Sequence, residues 1–160
     1  MFEPRSPFPN SPRAAPDAPL LLSGLALAGA NRRGDTGPDA EDGILTSEEI
    51  ATLDLSGVDW VVLSSCESGL GRILSGEGVL GLRRAFQVAG ARTLIISLWK
   101  VEDETTSEWM RHLYEGRLQG MSTAGSVRYA SLAILNARRA RGLSTDPFFW
   151  GAFAAAGDWR

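Results

Sequence analysis

The residue best placed to do chemistry is Cys66, the only cysteine in the chain. It follows the apolar run 61–63 and comes shortly before Gly69 and Gly71. A strand that ends in this way places a thiol at the carboxyl edge of a sheet, where open α/β folds form their ligand crevices. The pattern therefore favours a cysteine nucleophile. The alternative, from this segment alone, is a buried thiol that packs as a small apolar side chain.

Charged side chains stand near the ends of the two predicted central strands and could select a substrate. They are Glu67, Lys100, Glu102, Asp103 and Glu104. We expect Asp103 and the neighbouring Trp99 to contact a substrate there. Asp103 is also expected to cap the helix that follows, and the two roles are compatible.

Two further features suggest chemistry less strongly. The segment 76–81 matches G-x-G-x-x-G, but its first glycine does not directly follow a strand, as a dinucleotide site requires. Nucleotide binding is therefore a third hypothesis. The favoured interpretation of this segment is a glycine loop that leads into a helix. His112, the only histidine, lies between Met110 and Leu113 on a predicted helix, and we expect a surface or boundary residue rather than a base.

Composition limits the classes of function. The 160 residues are 44% hydrophobic, which suits one domain with a core, and the net charge of −3 gives no general attraction to nucleic acid or anionic membranes. One cysteine and one histidine exclude an internal disulfide and argue against a zinc site, so we expect no metal and no cofactor. No apolar run has the length of a membrane span, so we expect a soluble, cytoplasmic protein.

The order of predicted elements indicates an α/β fold. The proline-rich segment 1–19 is expected to be disordered, and the folded part to cover 20–160. A short buried or crossing strand at 20–30 and a loop at 31–42 precede a capping box at 46–49, which predicts a helix to about Leu53.

The rest of the chain predicts a parallel crossover followed by two helices. The crossover consists of a central strand at 58–65, a helix at 78–89 ended by Gly90, and a strand at 92–99. In the first later helix the expected apolar stripe is Trp109, Met110, Leu113, Tyr114 and Leu118. A second helix is capped by Ser122 and runs to Gly142, and the aromatic segment 147–153 is expected to form an edge strand or core plug.

Taken in order, these segments resemble the CHAT domain, a caspase-like cysteine peptidase module commonly found in bacteria behind tetratricopeptide repeats. The resemblance covers 20–160, and the segments that carry it are 21–31, 41–46, 63–71, 76–86, 90–92, 97–101 and 150–160. It implies a caspase-like three-layer sandwich with a mainly parallel sheet. It also implies that Cys66 is the nucleophile and that its backbone amide helps form the oxyanion hole.

One departure bears on activity. The family's catalytic histidine lies in a His-Gly motif upstream of the segment that resembles 21–31, where this chain has only its proline-rich start. We therefore expect the carboxyl-terminal part of a CHAT peptidase, truncated before its first strands and inactive alone, because a thiol without an adjacent base titrates near pH 8.5. The resemblance implies a peptide substrate and a repeat-containing sensor protein as partners. The alternative is a non-catalytic CHAT-fold interaction module.

Overall fold

The fold is that of a computed structural model, which describes residues 23–31, 42–64 and 77–160. The segment 1–19 and most of the predicted loop 31–42 lie outside the described residues. The strands are β1 (Gly24–Ala26), β2 (Ile44–Thr46), β3 (Trp60–Leu63), β4 (Thr93–Ser97) and β5 (Phe153–Gly157). The helices are α1 (Ser47–Thr52), α2 (Glu77–Val88), α3 (Asp103–Leu118), α4 (Thr123–Ala140) and a 3-10 helix, Pro147–Phe149. The mixture of helices and strands agrees with the predicted α/β class.

The chain divides into two compact units. The first contains β1, β2, α1 and α2, and the second contains the remaining strands and helices. In the first unit β1 pairs with β2 antiparallel, and the backbone N–H of Ser47 donates to the Ser23 carbonyl at 2.8 Å. Of the predicted segment 20–30 the structure describes residues 23–30, where the strand is limited to Gly24–Ala26 and is half-buried or exposed rather than buried.

The capping box predicted at the start of α1 is confirmed. The Thr46 hydroxyl accepts from the Glu49 backbone N–H at 3.2 Å, and the Glu49 carboxylate accepts from the Thr46 N–H at 2.7 Å. These two bonds satisfy amides that a helix start leaves without partners, which fixes where α1 begins.

Helices α1 and α2 pack against each other in the first unit. Ile50 of α1 is buried, as are Ala85, Phe86 and Ala89 in the second half of α2 and just after it. Of the two alternatives for the end of the α2 stripe, Ala89 is buried and Val88 is 63% exposed. Gly90 follows with a φ of +101°, the left-handed conformation that glycine adopts most easily after a helix.

The second unit contains a three-stranded sheet in the order β3-β4-β5. Strand β3 pairs with β4 in parallel, as the predicted crossover requires, and β5 pairs with β4 antiparallel. Within the described ranges β4, rather than the strand predicted as central, has a neighbour on both sides. Burial agrees, because Leu94 and Ile95 of β4 are almost fully buried whereas β3 is half-buried along its length.

Helices α3 and α4 form a hairpin. They pack against each other and cover one face of this sheet. Trp109 of α3 stacks on Phe153 of β5 with ring centroids 4.1 Å apart. The Ser122 hydroxyl accepts from the Gly125 N–H at 3.1 Å, which confirms the predicted cap of α4. Of the predicted aromatic segment 147–153, only Phe153 lies in a strand, where its ring also packs in the core, whereas Pro147–Phe149 form the 3-10 helix.

The predicted stripe of α3 is wrong at two of its five positions. Trp109 and Leu113 are buried, but Tyr114 is 49% exposed and Leu118 is 88% exposed. The buried row turns instead to Gly116, where a Cβ would come within 3.1 Å of the Ser126 Cα of α4. Because the absence of a side chain lets the two helices approach closely here, the contact face follows glycine rather than the larger apolar residues.

Candidate functional site

Parallel pairing brings the ends of β3 and β4 to one edge of the sheet. Leu63, the last residue of β3, pairs with Ile96, the residue before the end of β4. We call this edge the carboxyl end of the pair. Cys66 comes three positions after Leu63 in the sequence but lies outside the described residues, so its roles as nucleophile and oxyanion donor remain predictions. Glu67 and Gly76 also lie outside them.

Trp99 lies just beyond the carboxyl end of β4 and is half-buried. Its indole Nε1 donates to the Phe148 carbonyl at 2.9 Å, and the rings of Trp99 and Phe148 are stacked at 6.3 Å with an interplanar angle of 14°. The Ser97 hydroxyl donates to the Trp99 carbonyl at 2.5 Å. We call Trp99 and Phe148 the aromatic wall. Since the indole N–H is already bonded, this wall offers ring surface rather than a hydrogen-bond donor to a ligand.

Sequence reasoning did not single out Phe148 as a site residue. The available signal was the pair Asp146-Pro147, since Asp favours helix caps and Pro favours the first helical position. In the structure the Asp146 carboxylate accepts from the Phe148 N–H at 2.8 Å and starts the 3-10 helix that presents Phe148. The tertiary structure shows that this turn places Phe148 against Trp99, a contact that the local sequence does not indicate.

Asp103 is exposed and is the first helical residue of α3. The predicted cap is wrong, because the N-cap is Glu102, whose backbone is extended with φ −60° and ψ 141° and whose side chain makes no capping bond. Val101 is buried just before it, so the chain leaves the core and turns into the helix one residue too early for Asp103 to cap. The carboxylate instead lies in the first turn, where the helix dipole stabilises a negative charge.

The other charged residues predicted near this edge are also exposed. Lys100, Glu102 and Glu104 lie with Asp103 around the start of α3, three carboxylates and one ammonium in five positions. For these five positions the structure therefore gives a solvated, acidic border beside Trp99, which fits either substrate selection or simple solvation of a helix start.

His112 lies on α3, nine positions after Asp103, which at 1.5 Å per residue is about 13 Å along the helix axis. Since a carboxylate accepts and a guanidinium donates, His112 donates from Nδ1 to Glu115 at 2.9 Å and accepts at Nε2 from Arg111 at 3.1 Å. Its ring meets the Tyr129 ring edge-on at 5.7 Å. Both ring nitrogens are therefore engaged, as suits the predicted boundary residue.

The pKa of Glu115 reflects this cluster. Desolvation by its neighbours raises the pKa, but the hydrogen bonds from His112 and Arg111 and the charge of Arg111 outweigh it and hold the pKa below its ordinary value. Glu115 therefore stays ionised at neutral pH and keeps His112 oriented.

The opposite edge, which we call the amino end of the pair, carries a polar network that sequence reasoning missed. Asp59 accepts from Arg92 at 3.1 Å and from Arg117 at 2.8 Å. The Arg117 guanidinium lies 5.0 Å from the centroid of the Trp60 ring, and the Trp60 indole donates to the Thr123 hydroxyl at 3.0 Å. These residues border a small polar cavity of about 150 Å³. Every side chain named here already bonds another, which suits a structural role.

Neither a metal cluster nor a membrane-spanning helix is present in the part of the chain that the structure describes. No three His, Cys, Asp or Glu side chains within those ranges are grouped to hold an ion. No helix there combines the length and the apolar character of a membrane span. The glycines of the G-x-G-x-x-G match that are described, at positions 78 and 81, lie inside α2.

Comparison with known proteins identifies the family. The family model described as the CHAT domain matches residues 14–158. Tetratricopeptide repeat protein 28 of Mus musculus is 28% identical over 120 residues, and tetratricopeptide repeat protein 28 of Homo sapiens is 26% identical over 120 residues. The matched part spans 75% of this chain but only 5% of the length of each relative. The match over most of the chain confirms the resemblance carried by the ordered motifs, and the chain belongs to the CHAT domain family.

Proposed function

We propose that this chain carries the nucleophile half of a CHAT-type cysteine endopeptidase, with Cys66 as the nucleophile. The supporting observation is the parallel pairing of β3 and β4, which end at one edge beside the aromatic wall, with Cys66 three positions beyond β3 in the sequence. Strand ends of this kind form ligand crevices in open α/β sheets. We also propose that these strands belong to the mainly parallel sheet of a caspase-like three-layer sandwich.

In the proposed reaction the catalytic base takes the proton of the Cys66 thiol, and the sulfur attacks the carbonyl carbon of a peptide bond and forms a tetrahedral adduct. The adduct collapses to a thioester as the C–N bond breaks, and the departing amine takes up a proton from the catalytic base. Water then attacks the thioester carbonyl, releases the acid product and returns the thiol. The Cys66 amide would donate to the oxyanion in both steps.

The base in this proposal is a histidine other than His112. Glu115 and Arg111 occupy both ring nitrogens of His112, and its position is about 13 Å along α3 from the helix start. A histidine from a segment that resembles the family's His-Gly motif would fill the role. Without it, we expect Cys66 to react slowly at neutral pH, as an ordinary thiol does.

The test compares Cys66 labelling with and without such a histidine. The chain is produced as one polypeptide with a CHAT-family His-Gly segment in front of residue 14, and treated at pH 7 with a peptidyl electrophile and, separately, with iodoacetamide. We expect labelling at least about tenfold faster than in the matched His→Ala form, since a paired thiol is largely thiolate. Cys66→Ser is the blank. Equal rates with and without the histidine would contradict the proposal.

We further propose that Trp99 and Asp103 contact the substrate. Trp99 presents ring surface, and the exposed Asp103 carboxylate would attract a basic side chain. Trp99→Ala and Asp103→Asn should slow labelling by a peptidyl electrophile while leaving the rate with iodoacetamide unchanged. An equal change with both reagents would indicate an effect on the thiol itself and remove these residues from the substrate site.

The second candidate is a non-catalytic interaction module, which the outer edge of β3 favours. Within the described ranges no strand pairs with the outer edge of β3, whose residues Trp60–Leu63 include neither charge nor proline. Such an edge readily accepts a strand from another polypeptide. The partner we propose is a repeat protein, because both curated relatives are named for tetratricopeptide repeats. The function of an interaction module in the native host would survive Cys66→Ala. The function of a peptidase would be lost with this substitution.

A further inference from the structure

Helix α4 has two apolar sides, and only one of them is covered by the rest of the second unit. Ala130, Ile134 and Leu135 are buried. The outer side bears an apolar groove of about 440 Å³, which we call the α4 groove. Its lining includes Met121, Gly125, Tyr129, Leu132 and Ala133, at the spacing that places residues on one side of a helix. These five residues are half-buried, so the groove is not part of the core.

The sequence around α4 is basic in a chain that is acidic overall. Residues 116–145 contain no Asp or Glu, and their arginines are Arg117, Arg128, Arg138, Arg139 and Arg141. The net charge of the whole chain is −3, so this concentration of positive charge is local.

Not all of these arginines have partners. Arg117 binds Asp59, and Arg138 lies over the Phe149 ring at 3.7 Å and donates to the Ser144 carbonyl. Arg128, Arg139 and Arg141 form no ion pair with any residue that the structure describes. Arg128 lines the groove and is exposed, and Arg139 lies one turn beyond Asn136, the last lining residue.

One acid is linked to the groove through a ring contact and is already paired. Glu115 reaches it only through His112, whose ring contacts Tyr129, and the Glu115 carboxylate is held by His112 and by Arg111. Arg128, which lines the groove, and Arg139 therefore form no ion pair with any residue that the structure describes.

We propose that the α4 groove binds an acidic amphipathic helix of a partner protein. Its apolar side chains would lie against Tyr129 and Leu132, and its carboxylates would pair with Arg128 and Arg139. The small residues Gly125 and Ala133 let a helix approach α4 closely, as helix-in-groove recognition needs. A membrane surface fits less well, because membrane-binding helices present large apolar side chains such as Trp, Phe and Leu, whereas this lining includes Gly125 and Ala133. The site is independent of Cys66.

The test titrates the ¹⁵N-labelled full chain with a model helical peptide of about the length of α4, with leucines on one face and glutamates on the other. Amide shifts are followed up to millimolar peptide, so that weak binding is detected. We expect saturable shifts centred on Gly125, Tyr129 and Ala133. A peptide with lysine in place of glutamate should shift them much less.

Charge-reversal variants make the test specific. Arg128→Glu should weaken binding of the acidic peptide about tenfold, and Arg128→Glu with Arg139→Glu should bind the lysine peptide instead. The matched control is Arg84→Glu, an exposed arginine on α2, which should change nothing. Absence of saturable groove shifts, equal binding of both peptides, or larger groove shifts with phosphatidylserine vesicles would each overturn the proposal. Because Cys66→Ala should bind the peptide normally, failure here is separate from failure of the peptidase.

Discussion

The two ends of the β3-β4 pair differ in how completely their side chains are engaged. At the amino end Asp59 binds two arginines, Thr93 donates to the Asp158 carbonyl at 2.5 Å, and Trp60 bonds to Thr123. At the carboxyl end Leu98 is 52% exposed and Phe148 is 50% exposed. One end is therefore tied to three other segments of the chain, while the other leaves large apolar side chains in contact with water.

Under the proposed function, this difference would separate stability from recognition along the same two strands. Short hydrogen bonds and ion pairs at the amino end hold strand, helix and carboxyl-terminal segment together. Exposed apolar surface at the carboxyl end contributes little to folding but is available to a ligand. Substitutions at the amino end should therefore reduce stability, and substitutions at the carboxyl end should mainly affect recognition.

The largest expected effect is that of Gly157→Ala, where β5 pairs with the start of β4. Gly157 has a φ of +130°, and an added methyl would meet the Arg92 carbonyl oxygen and lie 2.9 Å from the Thr93 Cα. We expect the free energy of unfolding to fall by about 3 kcal/mol, as measured by urea denaturation followed by circular dichroism. Gly142→Ala, at a φ of +66° with open space around it, isolates the conformational cost of about 1 kcal/mol. Equal losses would mean that the amino end is not tightly packed.

The next effect is that of Thr93→Val, which keeps the shape of the side chain and removes its hydroxyl. Thr93 is 2% exposed, so the Asp158 carbonyl loses a buried donor, and we expect a loss of about 1–2 kcal/mol in the same assay. Thr52→Val removes an exposed hydroxyl that also donates to a backbone carbonyl, at 2.7 Å, and should change stability by less than about 0.5 kcal/mol. If both variants behave alike, burial of the Thr93 bond contributes nothing.

A smaller effect is expected for Asp59→Ala, which removes the acceptor shared by Arg92 and Arg117. The Asp59 side chain is 48% exposed, so solvent screens both ion pairs and the loss should be about 0.5–1 kcal/mol. At about 1 M NaCl the loss should largely disappear, because exposed charges are screened there. A loss that is unchanged by salt would show that Asp59 acts through packing or neutral hydrogen bonds.

The smallest effect is expected for Leu98→Ser at the carboxyl end. The Leu98 side chain is already about half exposed, so little buried apolar surface is lost. The free energy of unfolding should therefore change by less than about 0.5 kcal/mol in urea denaturation. Leu94→Ser, four positions earlier, in β4 and 1% exposed, should cost about 3 kcal/mol or more. A large loss for Leu98→Ser would make the carboxyl end structural and remove the contrast between the two ends.

Local signals in the sequence predicted the parts of the fold that depend on neighbouring residues. The capping box at Thr46, the cap at Ser122 and the end of α2 at Gly90 were all found where expected, because each is decided by a few adjacent residues. The predicted cap at Asp103 was wrong, since burial of Val101 decides where the chain leaves the sheet. Part of the α3 stripe was wrong for a similar reason, because Gly116 sets the helix contact.

The sequence by itself determined the alternation of strands and helices, the parallel pair whose first strand precedes Cys66, and membership of the CHAT family, because periodicity, caps and ordered motifs are properties of the chain. Only the tertiary structure decided which end of that pair is closed by Asp59 and its arginines and which presents Trp99 and Phe148. It also decided that one side of α4 remains an open groove. These outcomes depend on contacts between residues far apart in sequence, whose distances no local pattern records.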